Sequence, residues 1–333
     1  MAAHEKAEEA DEIDWLAALL GEDGFSDDLG PAADPLAPEA LSKALLALAA
    51  VTHSGPRMGK VPSTAASHAR ERELRQDAKE EHTMRVHDES PCSTLLVSFC
   101  SLAESGDRQH EFVGTARRAG VSHALFVADP LQAWFLRGHD CSDPFASTLG
   151  IVRREIARLQ PSKVVCIGAS MGGYAACRCG LAIGGQDSSC VSSVVVLAFA
   201  PQVFIDPRER ATLNLPLMGF DTALDRLLKA ACKLHWPLHS LVHLVQHAHC
   251  ALPTARAREA RPRVHLELHV GAQALSDVTE ARLLELALAQ ASEEALPVTA
   301  EVTVHASCGH TVAADLRGEG LLDAIVRRHV HPI

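Results

Sequence analysis

Ser170 stands at the centre of Gly168-Ala169-Ser170-Met171-Gly172, a G-x-S-x-G pentapeptide, with Gly173 directly after it. An apolar run, Val164 to Ile167, leads in, and an alanine-rich stretch leads out. Strand, sharp turn and helix in that order form the context in which this pentapeptide presents a serine nucleophile. A strained turn crowds its inner side, so the flanking glycines supply room that a Cβ would fill. The start of the following helix turns free N–H groups and its positive end toward charge developing on a reacting carbonyl. The competing explanation, a chance glycine-serine loop, accounts for neither the strand before nor the helix after.

A serine hydroxyl is a poor nucleophile until a base removes its proton, and that base must itself be oriented. On a strand–turn–helix architecture of this kind, acid and base follow the serine along the chain, on loops after later strands. Asp277 follows the strand-like run Val264–Val270, in the loop from Gly271. His310 follows the run Val298–His305, beside Gly309. Asp277 is the candidate acid, although Asp277-Val278-Thr279-Glu280 also fits a helix capping box. His310 is the candidate base, with the neighbouring glycine expected to leave its imidazole room. Asp315 and His305 are the rivals, His305 being placed within a strand. The backbone N–H of Met171 is one expected oxyanion donor. The second is expected near Cys100, Ser101 or Leu102, with Ser101 taken as the candidate, although no H-G-G-G pattern marks that loop.

The elements needed to position these groups are legible from residue 92 onward. Strand candidates are Thr94–Phe99, Ala124–Ala128, Lys163–Ile167, Val191–Phe199, Val264–Val270 and Val298–His305. Helical stretches lie between them: Glu111–Ala119, Thr148–Leu159, Gly172–Leu181 and Asp277–Gln290, with a last one at Leu316–His329. Near-continuous Val/Ile/Leu strands separated by helices predict an α/β fold with a mostly parallel sheet covered on both faces. Val264–Val270 alternates instead, predicting one exposed face toward the sheet edge. Residues 206–261 are read as helical, with pieces at Thr222–Cys232 and Leu238–His249, forming a small cap.

Residues 1–90 differ in composition and are assigned to a partly helical, partly disordered extension, with residues 91–333 as the main domain. The extension holds an acidic amphipathic piece (Asp11–Leu20), a Gly/Asp/Pro-rich linker, an alanine-leucine helix (Pro38–Val51) and a charged stretch (Ser67–Glu81). It is either an arm for a protein partner or a tail with no specific role. A net charge of −11 disfavours nucleic acid and anionic membrane as partners. No run approaches the twenty apolar residues that a membrane span needs. The N-terminus lacks the apolar core of a secretory signal. The ten cysteines are therefore expected as reduced, mostly buried thiols in a cytoplasmic protein. His239, His243 and His247 recur every four residues and share a helical face, with His235, His249 and Cys250 nearby. With no carboxylate among them, a solvated or lid-facing stripe is expected rather than a zinc site.

Residues 92–330 resemble the α/β-hydrolase superfamily, in particular a group of bacterial-type uncharacterised hydrolases. The resemblance rests on Gly168 to Ala176, Phe126-Val127-Ala128-Asp129 with Trp134 and Gly138, Phe199-Ala200-Pro201-Gln202, and Gly309-His310. It implies Ser170 as nucleophile, Asp277 as acid and His310 as base, acting on a small acyl substrate without metal or organic cofactor. The glycine-poor loop at Cys100–Ala103 and the long extension depart from the pattern. Hydrolysis of an ester or thioester is the expectation. Acyl transfer to an alcohol by the same residues, and a non-catalytic binding or scaffold protein on this fold, are the alternatives.

Overall fold

The computed structural model describes residues 40–46, 83–102, 110–136, 145–185, 190–215, 239–248, 261–294 and 297–331. Its centre is a seven-stranded sheet made of β1 (Thr83–Val86), β2 (Thr94–Phe99), β3 (Ala124–Val127), β4 (Lys163–Ala169), β5 (Ser193–Phe199), β6 (Arg263–Gly271) and β7 (Val298–His305). The spatial order is β1-β3-β2-β4-β5-β6-β7. Only β1 runs antiparallel, pairing Thr83–Val86 with Val127–Ala124. This order, with a single antiparallel strand at one edge and helices on both faces, is the α/β-hydrolase fold.

The order reverses between β2 and β4, which are neighbours while β3 lies outside β2. Such a switch point opens a crevice beyond the carboxyl ends of the strands, where ligands bind in open α/β sheets. Ser101 follows β2 and Ser170 follows β4, so both belong to that crevice.

β2, β4 and β5 are buried along nearly their whole length, as their continuous apolar sequences require. α3 (Met171–Gly184) is also buried along nearly its whole length. Glycines allow it to lie close to the sheet: a Cβ on Gly180 would strike Val196, and one on Gly184 would strike Val264. α2 (Ala146–Leu159) and α6 (Leu275–Glu294) complete the same face, and α1 (Val113–Arg118), α7 (Val312–Gly318) and α8 (Leu321–Val330) cover the other.

Several elements differ from expectation. The sheet reaches back to Thr83, earlier than the composition change near residue 90, because β1 is too short and too polar to stand out. A helical segment at 40–46 buries Leu41 and Leu45 in the main core. The expected terminal helix is two helices, α7 and α8, divided at Gly320, which caps α8 at φ 76°. The polar face of β6 is open only at its start, at Arg263 and His265; further along, Glu267 and His269 are each 3% exposed. Arg328 and His329 of α8 lie over Glu267 and bond its carboxylate at 2.6 and 2.8 Å. Alternation reports two chemically different faces, and here the second face is covered by polar partners rather than water.

Of the expected cap, α4 (Pro207–Thr212) and α5 (Leu241–Ala248) are described. The expected helix at Thr222–Cys232 lies outside the described residues, as do His235, His249 and Cys250. Asp206 caps α4 by accepting from Arg208 N at 2.8 Å. The described cysteines are all free thiols, and most are buried. Among the described residues no helix is long and apolar enough to cross a membrane.

Arg210 of α4 meets Glu280 of α6 at 2.8 Å, both side chains being essentially inaccessible. Glu280 also accepts from Val203 N and Phe204 N, tying the chain after β5 to α6. Burial raises the Glu280 pKa against the opposing pull of Arg210. Arg210→Met should therefore cost about 3 kcal/mol or more near neutral pH, by leaving a buried carboxylate uncompensated. A carboxyl whose folded pKa lies above its unfolded value regains stability as pH falls, so the loss measured by urea denaturation should be smaller at pH 5 than at pH 8.

Candidate active site

Four strand ends supply the site. β4 ends at Ala169, and Ser170 sits between strand and helix at φ 52°, ψ −117°. A non-glycine residue there stores strain of about 1–3 kcal/mol, which the surroundings must offset. Ser170 N–H donates to Phe199 O at 2.9 Å, and Ser170 O accepts from Tyr174 N at 3.1 Å and from Gln202 N at 3.4 Å. The glycines allow the approach. A Cβ on Gly168 would collide with the Gly172 carbonyl, one on Gly172 with the carbonyls of Phe99 and Cys100, and one on Gly173 would lie 3.0 Å from Pro201 Cα.

Ser170, His310 and Asp277, separated widely along the chain, meet in space. His310 Nε2 lies 3.1 Å from Ser170 Oγ, and His310 Nδ1 lies 2.8 Å from Asp277 Oδ2. Asp277 is 2% exposed and His310 34% exposed, so the acid is shielded while the imidazole borders the solvent side. The hydrogen bond with Asp277 raises the His310 pKa, outweighing burial, which lowers it.

Asp277 does not cap α6. The helix begins at Leu275, and Asp277 lies in its first turn with its carboxylate on His310. Glu280, the other half of the expected capping box, is the buried partner of Arg210 described above. Both acids face inward and are used by other loops.

Gly271, where β6 ends, brings the acid and base loops together. A Cβ there would collide with the carbonyls of Cys308 and Gly309. Gln273 N–H bonds Cys308 O at 3.1 Å and Ala272 N–H bonds His305 O at 2.9 Å. At Gly309, beyond its two chain neighbours, nothing lies within 4 Å of a Cβ built on it, so no other part of the fold requires a glycine there.

Met171 N–H occupies the first position of α3, where the helix offers no acceptor. Ser101 is held otherwise. Its N–H donates to Glu111 Oε2 at 2.9 Å and its hydroxyl donates to Glu111 Oε1. For Ser101 N–H to serve an oxyanion, that carboxylate has to leave it.

Of the rivals, Asp315 lies on α7, where its carboxylate accepts from Thr311 Oγ1 at 3.4 Å. His305 pairs with His269, Nε2 to Nδ1 at 3.1 Å. The histidine row is divided: His239 precedes α5, its ring stacks on His243 at 4.3 Å, and its carbonyl accepts from Tyr174 Oη at 2.9 Å.

Sequence reasoning missed two supports. Asp129 accepts from Leu131, Ala133 and Phe135 N–H groups, fixing the turn after β3. Within that turn Trp134 Nε1 donates to Gln202 Oε1 at 2.6 Å, joining it to the chain that braces Ser170. Asp129, Trp134 and Gln202 stand out in the sequence only as part of the family resemblance; the Trp134–Gln202 link spans 68 residues and has no local signal. An apolar groove of about 730 Å³ lies outside the site, lined by Leu41, Leu275, Val278, Leu286 and Val304 among others.

No protein-family model matches the sequence and no curated protein matches it significantly. Solved structures with similar folds include an S-formylglutathione hydrolase from Agrobacterium tumefaciens, 14% identical over 73% of this chain and 84% of that one, with a TM-score of 0.40. The capsule O-acetyltransferase of Neisseria meningitidis serogroup A is 10% identical over 75% and 92%, with a TM-score of 0.44. A Bacillus cereus carboxylesterase is 11% identical over 75% and 94%, with a TM-score of 0.40. These three similar structures are two hydrolases and an acyltransferase.

Two glycines should separate close packing from mere adjacency. Gly271→Ala is expected to lose about 1–3 kcal/mol in thermal or urea unfolding, because backbone carbonyls must move. Gly309→Ala is expected to stay within about 0.5 kcal/mol of wild type, as for a surface change that meets nothing.

Proposed function

We propose that this protein is a serine hydrolase cleaving an ester or thioester through an acyl-enzyme. The observation that carries this reading is the continuous Asp277–His310–Ser170 relay, at 2.8 and 3.1 Å, ending on a serine in the strained turn. His310 Nε2 takes the proton as Ser170 Oγ attacks the acyl carbon, then gives it to the leaving alcohol or thiol. Water repeats the sequence on the acyl-enzyme, with His310 as base and then acid. Asp277 holds the Nδ1–H tautomer and stabilises the imidazolium formed in each half-reaction. Met171 N–H is the first oxyanion donor, at the positive end of α3. Ser101 N–H is the second, reached when the incoming oxyanion displaces Glu111. Each such donor is worth about 3 kcal/mol in the transition state.

A fluorophosphonate probe should label wild-type protein stoichiometrically at Ser170, and Ser170→Ala should abolish both labelling and hydrolysis of a panel of acyl esters. A folded wild-type protein that neither labels nor hydrolyses any member of the panel would overturn the enzyme reading. Asp277→Asn should reduce kcat by about 10⁴-fold while retaining the fold.

The pH profile tests the relay separately. Protonated His310 cannot accept the serine proton, so kcat/KM should rise with pH through the free-enzyme pKa. The Asp277 bond raises that pKa, so the midpoint should lie above the ordinary histidine value of about 6.5. A midpoint below it would contradict the relay.

A further inference from the structure

We propose that the apolar groove beside α6 seats the chain's own segment Asp11–Leu20, docked there as an amphipathic helix. The groove, about 730 Å³, is lined along the outer side of α6, by Val304 of β7 and by Leu41 of the helical segment at 40–46. α6 is apolar on two opposite sides. Ala281, Leu284, Leu288 and Ala291 are buried in the core. Leu275, Val278, Leu286 and Ala289 line the groove, and with Arg282 they form a stripe that steps by three, four, four and three residues.

A helix with apolar residues all round belongs in an interior, and steps of three and four are those against which a second helix packs. Yet Leu275 is 65% and Val304 41% exposed, so the described residues leave this side open. Glu285, the one carboxylate of the described lining, is engaged by Arg282 at 2.7 Å and by Val302 N–H at 3.2 Å. The described lining therefore sets no bare carboxylate against an acidic segment.

The path of the chain and its sequence select the occupant. Residues 1–39 lead directly into the helical segment at 40–46, so they start from the wall of the groove. Within them Ile13, Leu16 and Leu20 repeat the steps of three and four, and Trp15 and Leu19 widen the same side. A ten-residue helix is about 15 Å long, against about 21 Å for the stripe from Leu275 to Ala289. Residues 21–40 form the connection, and a coil of that length spans roughly 25 Å, enough to fold back along α6. Docking there supports α6, whose first turn carries Asp277, from its outer side.

The test is hydrogen exchange read by mass spectrometry on the whole 333-residue chain. Amides of residues 13–20 should exchange at least about 10-fold more slowly than in a synthetic peptide of residues 9–22. Val304→Asp/Ala289→Asp, at two exposed positions of the groove, should remove that protection and unfold thermally close to wild type. Leu16→Asp/Leu19→Asp changes the segment instead and leaves the described core untouched. Fluorescein-labelled peptide 9–22 should bind this second variant one to one, and wild type at least about 10-fold more weakly because its own segment competes. Exchange of residues 13–20 as fast as in the free peptide, or protection that survives the groove variant, overturns the proposal. So does a wild-type dimer, seen by sedimentation, that the groove variant dissociates, since a second copy would then hold the groove.

Discussion

A serine at φ 52°, ψ −117° is not a resting conformation for an L-residue, and the neighbouring structure is organised to hold it there. The amide bond to Phe199 O and the carbonyl bonds from Tyr174 and Gln202 clamp Ser170 on both sides. Gly168, Gly172 and Gly173 permit the clamp by letting β2, β4, α3 and the chain after β5 approach within backbone contact. Trp134 and Asp129 carry the same constraint outward to the turn after β3. Four carboxyl-terminal strand ends are therefore locked around one side chain. That geometry makes the crevice at the switch point a rigid, preorganised cleft.

The candidate acid and base are placed by a different device. α6 presents two carboxylates on its buried side, Asp277 to His310 and Glu280 to Arg210 and the amides of Val203 and Phe204. The helix that orients the imidazole is thereby tied to the segment that braces Ser170. Gly271 then allows the loop after β7 to lie against the end of β6. Burial makes each of these carboxylates costly if unpaired, so pairing and position reinforce each other.

Polar groups also occupy the reverse face of β6, where Glu267 gathers Arg328, His265 and His329. On Glu267, burial works to raise the carboxyl, and the imidazoles of His265, His269 and His329 beside it outweigh that and hold the group well below the usual range. A strand with an apolar face toward α6 and an ionic face toward α8 can be registered in only one way, since a slip of one residue would bury the charges in the core.

The sequence by itself determined the parallel α/β architecture, the turn around Ser170 and the candidacy of Asp277 and His310. Each of these rests on local periodicity, glycine placement or order along the chain. Tertiary structure alone decided that Asp277 serves an imidazole instead of a helix end, since capping and long-range pairing use the same side chain with similar energies. It decided that Glu111 sits on Ser101 N–H, that Trp134 reaches Gln202, and that the polar face of β6 is covered. Those contacts join residues 10 to 68 positions apart, and pattern along a chain carries no information about which distant polar group will satisfy a given donor. The short strand Thr83–Val86 escaped for a related reason: its pairing with β3, rather than its own composition, makes it a strand.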